Sequence, residues 1–160
     1  MEKIKFLIET GDILIVKGKA KGSKFLAFIQ KLFYLKNNAS HILIAIADGF
    51  YIHATKGNKG VHIINYQELL LEIEDNWRAI RLKKLTDEEK EKLKRVVNYY
   101  RGQAYNIKFF LATRDASFCS ELAAKIYKQA NISILNDLVP QYVKPSNFVK
   151  EADKKKIGKI

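Results

Sequence analysis

The stretch SHILIAIADGFYIHAT, Ser40 to Thr55, decides how this chain folds. Ile42 to Ala47 and Phe50 to Ala54 are strand-like runs on either side of Asp48-Gly49, a tight-turn dipeptide, so the stretch reads as a β-hairpin. It carries His41 at its start and His53 near its end. Side chains alternate between the faces of a strand, so the turn decides whether the two imidazoles meet. A two-residue loop, Asp48-Gly49, pairs Ala47 with Phe50 and sends His41 and His53 to opposite faces. A three-residue loop, Ala47-Asp48-Gly49 with Gly49 left-handed, pairs Ile46 with Phe50 and sets Leu43 against His53. The histidines then share a face as diagonal neighbours, about 7–8 Å apart at the backbone, a gap that two imidazoles can bridge. Both registers are compatible with these residues.

The second informative stretch is FCSELAAKIYK, Phe118 to Lys128, which holds the only cysteine, Cys119. Leu122, Ala123, Ile126, Tyr127 and Ala130 repeat with the spacing of one helix face. Asp115 and Ser117 are cap-type residues, and Ser117 as N-cap puts Cys119 in the first helical turn. There the unpaired backbone N–H groups and the positive end of the helix dipole favour an anion, which predicts a lowered thiol pKa and a nucleophilic thiolate. The alternative from the same residues is a small buried hydrophobe, the usual state of a free cysteine.

Around these two stretches lies scaffold. Gly11-Asp12 is a turn signal, and Ile13 to Val16 is a short strand. Ser23 opens a helix, KFLAFIQKLFYL, whose apolar positions Phe25, Leu26, Phe28, Ile29, Leu32 and Phe33 cover more than half its circumference. A Gly-rich turn precedes a strand at Val61 to Ile64, where His62 is expected at the surface. A short helix is predicted over Tyr66–Glu72, and WRAIRL, Trp77 to Leu82, alternates as a strand. Thr86 and Glu89 form a capping box that opens a helix to Arg101, stopped by Gly102, with Leu93, Val96, Val97 and Tyr100 as its buried stripe. GQAYNIKFF reads as a linker. VPQYVKPSNFV reads as ordered coil before a short last helix, and the basic tail from about residue 153 as frayed.

Composition narrows the classes further. The 160 residues are 48% hydrophobic, which predicts one globular domain over residues 1–160 with a real core. Lys and Arg number 29 against 17 Asp and Glu, a net charge of +12, so the surface attracts anions. A single cysteine excludes an internal disulfide and a Cys-cluster zinc site. Glu2, Glu9 and Asp12 interrupt the N-terminal apolar stretch, so it is not a signal peptide, and no apolar run is long enough to span a membrane. The expected compartment is the cytoplasm, or the cell envelope if a leader has been removed.

GDILIV, a helix, SHILIAI, His53 twelve residues after His41, and a late FCSEL together resemble the circularly permuted papain-like cysteine hydrolases. These are the NlpC-related, YiiX-like proteins, akin to the lecithin:retinol acyltransferase group. The anchors are Ser40-His41, Cys119 to Leu122, and PSNF at Pro145 to Phe148, across roughly Gly11 to Phe148. The resemblance implies that Cys119 is the nucleophile, His41 the general base, and His53 the polar third residue that orients the base. One difference is Tyr105-Asn106, where a Tyr-Asp pair is common in the YiiX-like pattern.

The expected fold is α+β and permuted papain-like, with a central antiparallel sheet of about five strands packed against helices. The expected function is thiol hydrolysis of an amide or ester through an acyl-enzyme, with no cofactor and no metal. The resemblance offers two substrate classes, peptide amides of cell-wall type and lipid acyl bonds. The charge and the wide apolar helix lean towards an amphiphilic or anionic substrate and peripheral membrane contact. The alternatives are a lipid acyltransferase on the same fold and a basic nucleic-acid- or anion-binding module. Against the last, the basic residues are dispersed and carry no nucleic-acid-binding motif, so no specific nucleic acid is expected.

Overall fold

The computed structural model describes residues 8–16, 41–55, 59–72, 78–106, 116–117, 119–135, 139–143, 147–148 and 150–151. The apolar run Ile13–Val16 forms β1, and all four of its residues are buried because both faces of the sheet are covered here. On one side β1 pairs antiparallel with β2 (His41–Ala47), and on the other with the short β5 (Arg78–Ile80). β3 (Phe50–Thr55) and β4 (Gly60–Asn65) complete the five-stranded antiparallel sheet, in the order β4-β3-β2-β1-β5.

Alternation along the strands splits the core in two. Ile13, Ile15, Ile42, Ile44 and Ile52 face the larger cluster, together with Leu93 and Val97 from one helix and Leu122 and Ile126 from another. Leu14, Val16, Leu43, Ala45, Tyr51 and Ile64 face the opposite way and are covered by Leu69. Leu69 lies on α1 (Tyr66–Glu72), which starts and ends at the predicted residues. Its start is fixed by reciprocal bonds: the Glu68 amide donates to Asn65 Oδ1 and the Asn65 amide to Glu68 Oε2, both at 3.0 Å.

α2 (Asp87–Tyr100) opens on the expected capping box between Thr86 and Glu89. It ends before Gly102, whose φ of 88° suits glycine. Tyr100 is buried, and Tyr99 beside it is exposed, so only one of this aromatic pair faces solvent. α3 (Cys119–Gln129) packs on the sheet and against α2.

The predicted linker GQAYNIKFF contributes a strand. Ala104–Tyr105 is β6 and pairs in parallel with β7, Ala116–Ser117. Ser117 is therefore a strand residue, not the helix cap, and its Oγ accepts from Lys125 Nζ at 3.0 Å. A 3-10 turn, Pro140–Tyr142, precedes helical residues that include Phe148, which is fully buried. The apolar helix expected over residues 23–35 and the tail from about 153 lie outside the described residues.

A buried ion pair locks the start of β1. Arg81 donates from Nε and Nη2 to the two carboxylate oxygens of Asp12, each at 2.8 Å, and Asp12 is only 1% exposed. Tyr127 of α3 donates its hydroxyl to the Gly11 carbonyl at 2.5 Å, tying the helix to the same turn.

Candidate active site

The hairpin takes a form that neither simple loop describes. Asp48-Gly49 is a two-residue turn with Ala47 opposite Phe50, the register expected to separate the histidines. A bulge at Ile46 then shifts the pairing by one, so that Ala45 faces Tyr51 and Ile44 faces Ile52. Continued, this register puts Leu43 opposite His53 and returns His41 and His53 to one face. His41 Nε2 lies 3.0 Å from His53 Nδ1.

A third imidazole continues the line. His53 pairs directly with His62 across β3 and β4, and the two Nε2 atoms are 2.9 Å apart. His62 Nδ1 lies 3.1 Å from the Gly60 carbonyl oxygen. His62 is thus half-buried and hydrogen-bonded rather than a surface residue. The β3–β4 register, which pairs Thr55 with Gly60, sets His53 against His62, and a strand expected over Val61 to Ile64 does not by itself fix that pairing. Gly60 has φ 55°, and a Cβ there would lie 2.1 Å from the Gln103 carbonyl, so only glycine fits this crossing.

Cys119 is the first residue of α3 and is 6% exposed. The β2–β3 ladder ends at Ile44 and Ile52, which frees the Ile42 amide beyond it. The backbone N–H groups of Ile42, Ser120 and Cys119 lie close to the sulfur and favour its anionic form. The thiol therefore sits beside the residue that follows His41, although no hydrogen bond joins it to the His41 ring.

Burial sets the charge state here. It pushes the Cys119 thiol up to about 11, against the opposing pull of the three N–H groups. This reverses the lowered value expected at a helix N-terminus, because desolvating the thiolate outweighs the nearby N–H groups. Burial likewise holds His41 down at about 4, with a further contribution from His62, and keeps His53 lower still. The resting pair is a neutral thiol and a neutral imidazole.

The residues after Cys119 anchor the helix. Ser120 is fully buried and donates to the Val143 carbonyl at 2.6 Å. Glu121 is also fully buried. It meets Lys125 Nζ at 2.9 Å and accepts from Asn106 Nδ2 at 3.2 Å. Asn106 is thus a donor to a buried carboxylate, which an aspartate in its place would repel. A surface pocket lined by Tyr127, Lys128, Asn131 and Ile134 lies at the far end of α3 and is separate from the thiol.

Two histidines before a helix-terminal cysteine, on this sheet, point to one family. Residues 7–155 match the profile of the permuted papain-like amidases, the YaeF/YiiX type of the peptidase C92 family. The chain belongs to that family. As a member of that family it is a cysteine hydrolase in the broad sense. Among solved structures it is similar to the crystal structure of the metalloprotein YiiX from Escherichia coli O157:H7, at 20% identity and a TM-score of 0.63. That likeness covers 80% of this chain and 69% of the other, and it shows the shared permuted papain-like fold. No curated protein matches this chain. Among the described residues no helix is long and apolar enough to cross a membrane.

Proposed function

We propose that this permuted papain-like amidase cleaves an amide or ester bond with Cys119 as nucleophile, His41 as general base and acid, and His53 as the residue that orients His41. The observation that supports it most directly is the 3.0 Å bond between His41 Nε2 and His53 Nδ1. It occupies one nitrogen of His41 and leaves Nδ1 to serve the thiol at the head of α3.

The neutral resting pair dictates the sequence of events. As the sulfur attacks the substrate carbonyl carbon, its proton passes to His41 Nδ1, so thiolate exists only as the C–S bond forms. The carbonyl π electrons move to oxygen, and the Cys119 backbone N–H at the start of α3 is one donor for that oxyanion. The tetrahedral adduct collapses, and His41 returns its proton to the departing amine or alkoxide. The thioester is hydrolysed when His41 Nδ1 takes a proton from water, whose oxygen attacks the acyl carbon. Collapse then expels the sulfur as the thiol and releases the acid.

The similar YiiX protein is described as a metalloprotein. In this chain the imidazoles meet nitrogen to nitrogen in a file, and among the described residues no three His, Cys, Asp or Glu side chains converge on a point. This donor set does not fit a metal, and every step above uses the protein's own groups. The net charge of +12 favours an anionic substrate, either a peptide amide or a lipid acyl group presented at a membrane surface.

The test is hydrolysis by the parent chain and by Cys119→Ala, His41→Ala and His53→Ala over a panel of acyl esters and peptide amides. Cys119→Ala and His41→Ala lose turnover, the latter by about 10²–10⁴-fold. His53→Ala is slowed less and keeps measurable hydrolysis. A Cys119→Ala protein that turns over a substrate at the parent rate removes the thiol mechanism for that substrate.

A further inference from the structure

We propose that the Gly60 carbonyl sets the tautomers of all three imidazoles through His62, a positioning residue that keeps Nδ1 of His41 unprotonated. The proposal rests on the hydrolase reading only in the use it gives to that nitrogen.

Each bond along the file fixes the next. A carbonyl oxygen only accepts, so at 3.1 Å the His62 Nδ1 carries a hydrogen and donates it to Gly60. Neutral His62 then has a bare Nε2. His53 Nε2, 2.9 Å away, must donate to that lone pair, and neutral His53 is left with a bare Nδ1. His41 Nε2, 3.0 Å from that atom, must donate in turn. Neutral His41 ends with its hydrogen on Nε2 and its lone pair on Nδ1, which is the form a general base needs. Reversing any single ring would set two lone pairs or two N–H groups against each other at hydrogen-bond distance.

His41 and His53 stay neutral because burial disfavours the charged form of each, and His53, 1% exposed, lies between two other imidazoles with the Lys59 charge also opposing its protonation. The far end is equally well held. Gly60 is pinned where its chain crosses Gln103: the Val61 amide donates to the Gln103 carbonyl at 2.7 Å and the Gly102 amide to the Val61 carbonyl at 2.8 Å. A carbonyl fixed in the backbone is thus linked to the base through two side chains. His53 alone cannot do this, since an imidazole without an acceptor on Nε2 adopts either tautomer.

The experiment is long-range proton–nitrogen NMR at pH 7.5 on protein labelled with ¹⁵N-histidine, in which three histidines give three ring systems. His41 and His53 are expected to carry their hydrogens on Nε2 and His62 on Nδ1. In His62→Phe, His53 loses its acceptor. His41 should then show mixed tautomers, and kcat should fall about tenfold with KM unchanged. His62→Gln, whose amide oxygen can accept from His53 Nε2, should restore the His41 pattern and most of kcat. A parent protein with the His41 hydrogen on Nδ1 overturns the proposal, as does a His62→Phe protein whose His41 tautomer is unchanged. If the parent hydrolyses no amide or ester, the hydrolase reading fails, and the NMR pattern alone still decides the proposal.

Discussion

His53 Nε2 and His62 Nε2 stand 2.9 Å apart across β3 and β4. At that distance one nitrogen donates and the other accepts, so the pair holds when both rings are neutral and breaks when both are charged. The same holds for His53 and His41, and the file is therefore sensitive to acid.

Acid should destabilise the fold through these rings. Unfolded histidines titrate near 6.5, whereas burial keeps His41 near 4 and His53 lower. The unfolded chain binds protons first as pH falls. The stability held by neutral His41 and His53 is thus complete above about 6.5 and is lost on descending towards 4. Urea unfolding at pH 7.5 and 4.5 is expected to differ by about 3 kcal/mol or more. A His53→Leu chain should lose less on acidification, and equal losses in the two proteins would contradict the neutral file.

Alkylation of the single thiol should report a high pKa. With the thiol near 11, the rate rises through the alkaline range instead of levelling off near the ordinary 8.5. His41→Ala should slow the reaction at neutral pH, where the imidazole removes the proton, and leave it unchanged near pH 11. A profile that levels off at or below 8.5 would show a thiolate already present in the resting protein.

Gly60→Ala should disturb both fold and site. The left-handed φ of 55° alone costs a residue with a Cβ about 1–2 kcal/mol, and the new Cβ meets the Gln103 carbonyl at 2.1 Å. The crossing must shift, and with it the oxygen that His62 uses. The expected outcome is a lower unfolding midpoint together with reduced hydrolysis. A protein with parent stability and parent rate would mean that the crossing is not a constraint.

Asn106→Asp should destabilise the chain near neutral pH. It replaces a donor 3.2 Å from the Glu121 carboxylate with a second buried carboxylate. The cost is on the order of 1–3 kcal/mol and should shrink as acid protonates one member of the pair. A thermal shift measured at pH 7.5 and pH 5 distinguishes this from simple loss of packing, which would be the same at both.

Local signals were enough for most of the elements. Tyr66–Glu72, the Thr86–Glu89 capping box and the core stripe of Leu93 and Val97 are encoded within a turn or two of chain. Each depends on neighbours three or four residues away, and those neighbours are visible in the sequence. The short β6 and β7 were not legible, because each is two residues long and exists only by pairing with the other.

The sequence by itself determined that His41, His53 and Cys119 are present, in that order, on a hairpin and a helix start. Tertiary structure decided how they meet. The turn has two residues, yet the histidines share a face because Ile46 bulges, and a bulge is a feature of strand pairing that no local preference announces. His62 joined the file only once β4 was in register with β3. The thiol pKa was decided in the same way. A helix start favours the anion locally, but desolvation depends on everything packed around the sulfur, and here that burial outweighs the nearby N–H groups.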